Sequence, residues 1–199
     1  MEELVADIRK RYLGIFSDHM SKTDEAPIYI CDLVMFGLMD RNIGIVESMP
    51  KLIEEENIHA LAPLLRIQLD GLLRLHAFRL VENSEYLARH VIEGNELRKF
   101  KDRNGEKLTD RYLVNSLKHE LPWVESMYDQ LCGWVHFSDT HIFTAATEGQ
   151  SEGSIFIGIG EFRQRIPSAL FEEAIESIKG IHHNTALLIE AYFESSRNA

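Results

Sequence analysis

Three charged residues, Arg66, Asp70 and Arg74, stand at i, i+4 and i+8 within the segment LAPLLRIQLDGLLRLHAFRLVE at 61–82. At about 100° per residue they form one stripe of a helix, with Asp70 in reach of an arginine on either side. Two guanidiniums on one stripe offer forked donors to a phosphate or carboxylate, and the acid between them would orient them. The same stripe also reads as an internal ion-pair network joining helices, or as a face turned to a dimer partner. Leucine, isoleucine and phenylalanine appear in every angular sector, which places this helix inside a bundle rather than on its surface. Ile67, Leu73, Ala77 and Val81 flank the stripe and restrict its contact with water. Burying an unpaired charge costs several kcal/mol per ion, so the stripe needs partners or a water-filled pocket.

A second candidate is the run YDQLCGWVHFSDTH at 128–141. Tyr128, Leu131, Cys132 and Val135 share one helical face, and His136 closes the helix with Asp139 at i+3 and Thr140 at i+4. A helix C-terminus and a neighbouring carboxylate both favour a charged imidazole. His136 therefore reads as a general acid/base or a phosphate contact, or else as a satisfied histidine that ends the helix and anchors the β-branched segment after it. Tyr128 and His136 join Arg66, Asp70 and Arg74 as the candidate ligand-binding residues, with His136 the candidate catalytic one.

Other chemistries find little support. Glu56-Asn57-Ile58-His59 is a single ExxH, whereas a di-iron carboxylate bundle needs two with further glutamates. His136, Asp139 and His141, or the pair His182 and His183, lack a strong zinc spacing, so no metal and no cofactor are expected. There is no GxSxG elbow, the cysteines lack a catalytic context, and Gly158-Ile159-Gly160 is too short for a dinucleotide fingerprint.

The bulk numbers bound the answer further. A chain of 199 residues with 45% hydrophobic content can bury one core, so residues 1–199 read as a single helical domain. The 21 basic against 32 acidic residues leave a formal charge of −11, which argues against broad contact with duplex DNA or an anionic membrane. It leaves room for a small basic pocket. No stretch is apolar enough to span a membrane, and the opening helix MEELVADIRKRYLGIF lacks the uncharged core of a signal peptide. Cys31 and Cys132 read as buried free thiols in a reducing compartment, and the expectation is a cytoplasmic protein.

Helical periodicity accounts for most of the elements that must position these residues. A first helix is expected over Glu2–Met20. A second comes over Ala26–Glu56, capped by Thr23 or Asp24, with Pro27 in its first turn and a break near Ser48–Pro50. The charged central helix is entered at Ala60–Pro63, and a short helix then runs to Glu93. The polar run NELRKFKDRNGEK at 95–107 reads as an exposed loop with a turn at Asn104–Gly105. Helices from Thr109 to Glu120 and from Pro122 come next. The β-branched runs HIFTAAT at 141–147 and SIFIGIG at 154–160 predict a short β-hairpin (about 141–160) before the last helix, which Ser168 would cap. The expected fold is all-α: a bundle of about five to seven helices with that one hairpin.

The central helix with Arg66, Asp70 and Arg74, together with the later Tyr128…Trp134-Val135-His136 helix, resembles the HEPN-like helical superfamily, particularly its uncharacterised bacterial members. The resemblance covers about residues 26–140 and the final helix. It implies a small helical bundle that pairs as a homodimer, with a site for a small anion, a nucleotide or RNA. Some members are metal-independent ribonucleases of toxin or defence systems, and others bind nucleotides or partners without catalysis. The ribonucleases carry an arginine followed by a histidine after four to six residues. Here Arg11 and His19, like Arg111 and His119, are too far apart, Arg74 and His76 are too close, and His136 has no arginine close upstream. The expectation is therefore a non-catalytic or regulatory member, with a divergent ribonuclease as the alternative.

Overall fold

A computed structural model describes residues 1–22, 27–149, 151–160 and 166–196. It is built almost entirely of helices: α1 (Glu2–Ser21), α2 (Ile30–Val46), α3 (Met49–Glu54), α4 (Ile58–Leu80), α5 (Ser84–Ile92), α6 (Asp110–Leu117), α7 (Trp123–Val135), α8 (Asp139–Ala145) and α9 (Ser168–Ser196). This is the all-α class expected. Helix α4 is the hub, packed against α2, α3, α5, α6, α7 and α9. Its apolar sectors explain why: Leu61, Leu65, Leu69, Leu72 and Leu73 are buried toward different neighbours. A fully buried leucine contributes about 2 kcal/mol, so a helix with such residues on several faces is stable only at the centre. Of the four residues expected to shield the charged stripe, Leu73, Ala77 and Val81 are buried, whereas Ile67 is 38% exposed.

Local signals set the boundaries. The expected second helix divides where Pro50 stands, with α2 ending at Val46 and the proline in the first turn of α3. Glu56 takes a left-handed φ of 52° and turns the chain into α4. Asn57 caps that helix, its side-chain oxygen accepting the N–H of Ala60 at 3.3 Å. Helix α4 thus begins before Ala60 and carries Pro63 inside it. Helix α2 starts at Ile30, later than expected, because Asp32 Oδ2 accepts the backbone N–H of Tyr29 at 2.9 Å and fixes the first turn there. The expected caps Thr23 and Asp24 lie outside the described residues.

One expectation changes. Residues 139–145, most of the expected first strand, form helix α8 instead. Ser138 is its N-cap and donates from Oγ to the carbonyl of Gly133 at 2.8 Å, linking α8 to the end of α7. A local cap outweighed the β-branched composition of HIFTAAT. Beyond it, β1 (Ala146–Glu148) and β2 (Ile155–Ile157) pair antiparallel, Ala146 opposite Ile157 and Glu148 opposite Ile155. Residues 95–107 form the mostly exposed segment expected, with the turn at Asn104–Gly105. Asp102 is buried there, and its Oδ1 accepts the N–H groups of Asn104 and Glu106, both at 2.8 Å. Arg103 donates to the carbonyls of Arg79 and Leu80 at the C-terminus of α4 and of Val81 just past it. This polar run is pinned to the bundle.

Candidate anion-binding site

The stripe on α4 meets a fourth charged residue. Asp110 is the first residue of α6, placed there by Thr109, whose hydroxyl accepts the N–H of Tyr112 at 3.3 Å. Arg74 Nη2 lies 2.6 Å from Asp110 Oδ1 and 3.0 Å from Asp70 Oδ1, and its Nε donates to Asp70 Oδ2 at 3.4 Å. Arg66 Nη2 lies 3.3 Å from Asp110 Oδ2, and Nη1 is 3.7 Å from Asp70 Oδ1. Two arginines and two aspartates therefore alternate around a closed ring with no net charge. The side chains of Arg66 and Arg74 are 13% and 29% exposed, so the ring sits in the wall of the bundle between core and solvent.

Tyr128 on α7 covers one side. The Arg66 guanidinium carbon is 4.4 Å from the centre of its ring, and that of Arg111 is 5.3 Å away. Arg111 is held by Asp129 on α7 at 2.8 Å. Burial alone would make the Arg66 guanidinium easier to deprotonate. The Cys132 thiol, Tyr128 and Asp70 more than offset this and keep it firmly charged.

Arg66 is thus enclosed, but Arg74 is not saturated. Its Nη1 is buried and has no hydrogen-bond acceptor among the described residues. Arg74 also lines a cavity of about 340 Å³ between α2, α4 and α5. Leu38, Phe78 and Val91 give that cavity apolar walls, while Arg41 and Asn95 add donors. Arg41 donates to the carbonyl of Ile67 at 3.4 Å, which ties its charge to the same face of α4. Gly71 shapes the floor: a Cβ there would come within 2.9 Å of Leu38 Cδ1. A buried guanidinium N–H beside an apolar recess is suited to an acceptor oxygen carried by an apolar body.

Of the five residues singled out from sequence, four come together: Arg66, Asp70, Arg74 and Tyr128. His136 does not join them. It is exposed at the C-terminus of α7, its backbone N–H donating to the Cys132 carbonyl at 3.0 Å. Among the described residues no hydrogen bond or ion pair links its ring to the arginines or to Asp139. The histidine that packs in this region is His141, whose ring lies 5.7 Å from those of His59 and Phe137 and 5.8 Å from that of Trp134. Its Nδ1 accepts the N–H of Ser138 at 3.3 Å.

Asp110 is the site residue that the sequence pattern alone did not single out. The signal was the imbalance of two arginines against one acid on α4, which called for a further partner without saying that it would be a carboxylate from another helix. Cys31 and Cys132 are both free thiols, but only Cys31 is buried; Cys132 is partly exposed beside Arg66.

A larger cavity, about 760 Å³, lies beside Tyr29, Arg79, Glu85 and Tyr192. Its charged groups are already engaged. Arg79 is paired with Glu120 at 2.8 Å, and Glu85 accepts the N–H groups of Ile30 and Cys31. The nearby buried Asp32 accepts from Tyr192 at 3.0 Å and from the Tyr29 N–H, which makes it the anchor of α2. Volume favours that cavity, but the unsatisfied donor favours the recess at Arg74, and an unmet buried hydrogen bond is the more specific sign of a ligand. Among the described residues no group of three or more His, Cys, Asp or Glu is arranged to hold a metal ion, and no helix is long and apolar enough to cross a membrane.

No family model, curated protein or solved structure matches this chain.

Proposed function

We propose that the protein is a non-catalytic, HEPN-like binding or regulatory protein that works as a homodimer and takes a small organic anion, such as a mononucleotide, in the recess beside Arg74. The single observation that carries the ligand is the buried Arg74 Nη1, which has no acceptor among the described residues although its neighbours Nη2 and Nε are engaged. The ligand's oxygen accepts from that N–H while its apolar portion lies against Leu38, Phe78 and Val91. A volume of about 340 Å³ suits a ligand of mononucleotide size and falls at the small end of such sites. Asp70 and Asp110 hold the guanidinium rigid before the ligand arrives, which lowers the entropic cost of binding. The exposed His136 offers no acid or base within the ring, so the arrangement favours binding over RNA cleavage.

Thermal unfolding with nucleoside monophosphates and with inorganic phosphate tests this reading. A mononucleotide should raise the midpoint in the intact protein and lose most of that effect in Arg74→Lys, which keeps the charge but not the fork. If no mononucleotide raises the midpoint, or Arg74→Lys responds as the intact protein does, the reading is wrong. Sedimentation equilibrium checks the homodimer separately: a single-chain mass of 22.9 kDa across concentrations would exclude it.

A further inference from the structure

A second polar cluster lies on the opposite side of α4, where α1 packs against α9. Asn42 Nδ2 donates to the Tyr12 hydroxyl at 3.3 Å, and that hydroxyl lies 2.8 Å from His182 Nδ1. All three residues are buried, Tyr12 at 1% and His182 at 3% exposure. The direction of the chain is set by donor supply. The Tyr12 oxygen already accepts from Asn42, and its own hydrogen needs an acceptor, which His182 Nδ1 provides. The imidazole then carries its proton on Nε2. That atom is buried and has no hydrogen-bond partner among the described residues, so it is an N–H donor that none of them receives. A buried orphan donor costs about as much as a lost hydrogen bond, which calls for an occupant.

A recess lies beside the same residue. His182 and Tyr12 line a recess of about 180 Å³ whose rim includes Arg11, Lys179, His183 and Asp7. Arg11 donates to His183 Nδ1 at 3.1 Å, since a guanidinium cannot accept, so His183 also carries its proton on Nε2. Arg11 is held by Glu190 through Nε and Nη2, and Lys179 by Glu176 at 2.6 Å, yet each retains further N–H groups. The polar lining is thus mostly donors, with Asp7 as its one carboxylate. At about 30 Å³ per water, the recess holds roughly six waters' volume, enough for a carboxylate or phosphate group with a short tail.

We propose that this recess is a second ligand site, for a small oxyanion, in which His182 Nε2–H donates to a ligand oxygen and Arg11 and Lys179 supply the attracting charge. It stands apart from the Arg74 recess, shares no lining residue with it, and does not depend on that reading.

Side-chain proton–nitrogen NMR of the full chain, labelled at histidine, tests it at about pH 7.5, where a histidine of ordinary pKa of about 6.5 is neutral. His182→Gln assigns the resonance by removing it. Inorganic phosphate and acetate are titrated separately, against sodium chloride of equal ionic strength. The expected result is a His182 ring protonated on Nε2 whose signal moves saturably with one or both oxyanions over roughly 0.1–10 mM. A response to phosphate alone identifies a phosphoryl ligand, and a response to acetate alone a carboxylate. Lys179→Ala, an exposed substitution that leaves the fold intact, should weaken the response by roughly three- to tenfold. The proposal is overturned if His182 carries its proton on Nδ1, if chloride moves the signal as far, or if Lys179→Ala leaves the response unchanged. Should His182→Gln fail to fold, the titration of the intact protein and of Lys179→Ala still decides, with Tyr12→Phe assigning the signal through its lost hydroxyl partner.

Discussion

Arg74 on α4 and Asp110 on α6 stand 36 residues apart in the chain and 2.6 Å apart in space. Their contact closes the ring begun by Arg66 and Asp70, and it fixes the short helix α6 against the hub of the bundle. The pair is only about 30% exposed, so water screens it less than a surface pair. A double-mutant cycle of Arg74→Ala and Asp110→Ala, read by urea unfolding, should give a coupling energy of about 1–2 kcal/mol. The exposed pair Arg79–Glu120, at 2.8 Å, should give about 0–0.5 kcal/mol in the same measurement. Equal couplings would mean that the ring is no better shielded than the surface.

Two buried histidines set a pH dependence. Burial, followed by the nearby Arg79 charge, pushes the His76 imidazole down to about 4, and burial does the same to His182. Both folded values lie below the ordinary value of about 6.5 for an unfolded histidine. The unfolded chain therefore takes up protons first as the pH falls, so stability is full above about 6.5 and declines from there down to about 4. Each histidine contributes up to about 1.4 kcal/mol per pH unit within that window. Unfolding free energies at a series of pH values should fall by several kcal/mol, and His76→Gln should flatten the slope by about half. A profile level from about pH 7 to 4.5 would contradict the assignment.

Gly71 separates ligand binding from folding. Adding a methyl group there brings it within 2.9 Å of Leu38 Cδ1, the end of a flexible side chain that can turn aside. The gain in helix propensity, about 1 kcal/mol, opposes that strain, so Gly71→Ala should change stability by less than about 1 kcal/mol. Leu38 and Gly71 both line the Arg74 recess, and the displaced leucine narrows it. Mononucleotide-induced stabilisation should therefore shrink in this variant while its unfolding midpoint without ligand stays close to the parent value.

Asp102 governs stability in a lower pH range. Burial by itself would raise its pKa, but the Tyr112 hydroxyl and the backbone N–H groups of Glu106 and Asn104 outweigh that and hold the carboxyl below its usual value. A depressed carboxylate stabilises the fold above about pH 3.9 and loses that contribution as the pH falls through the lower, folded value. Asp102→Asn should be less stable than the parent at about pH 7, and the difference should shrink as the pH falls through the carboxyl's lowered folded value. Denaturation curves of the two proteins that run parallel to acid pH would rule this out.

Much of the architecture was legible from local pattern. The apolar sectors of residues 61–82 required a central helix, Pro50 required a break, and the spacing of Arg66, Asp70 and Arg74 required one stripe. These depend on helix geometry and backbone chemistry, which short stretches of chain carry complete. Residues 139–145 misled because β-branched composition favours a strand only when a sheet is there to receive it, and Ser138 instead capped a helix.

Which charges meet across helices is a different kind of question. Nothing within residues 61–82 chooses among a ligand, an acid from another helix and a second chain as the stripe's partner; the placement of α6 brought Asp110 to both arginines. The distance between His136 and the arginines was likewise set by the direction in which α7 ends. The unmet buried nitrogens of Arg74 and His182 become visible only when the helices are packed in three dimensions. Spacing along a helix determined what could line up on one face, and packing between helices decided which of those groups were left without a partner.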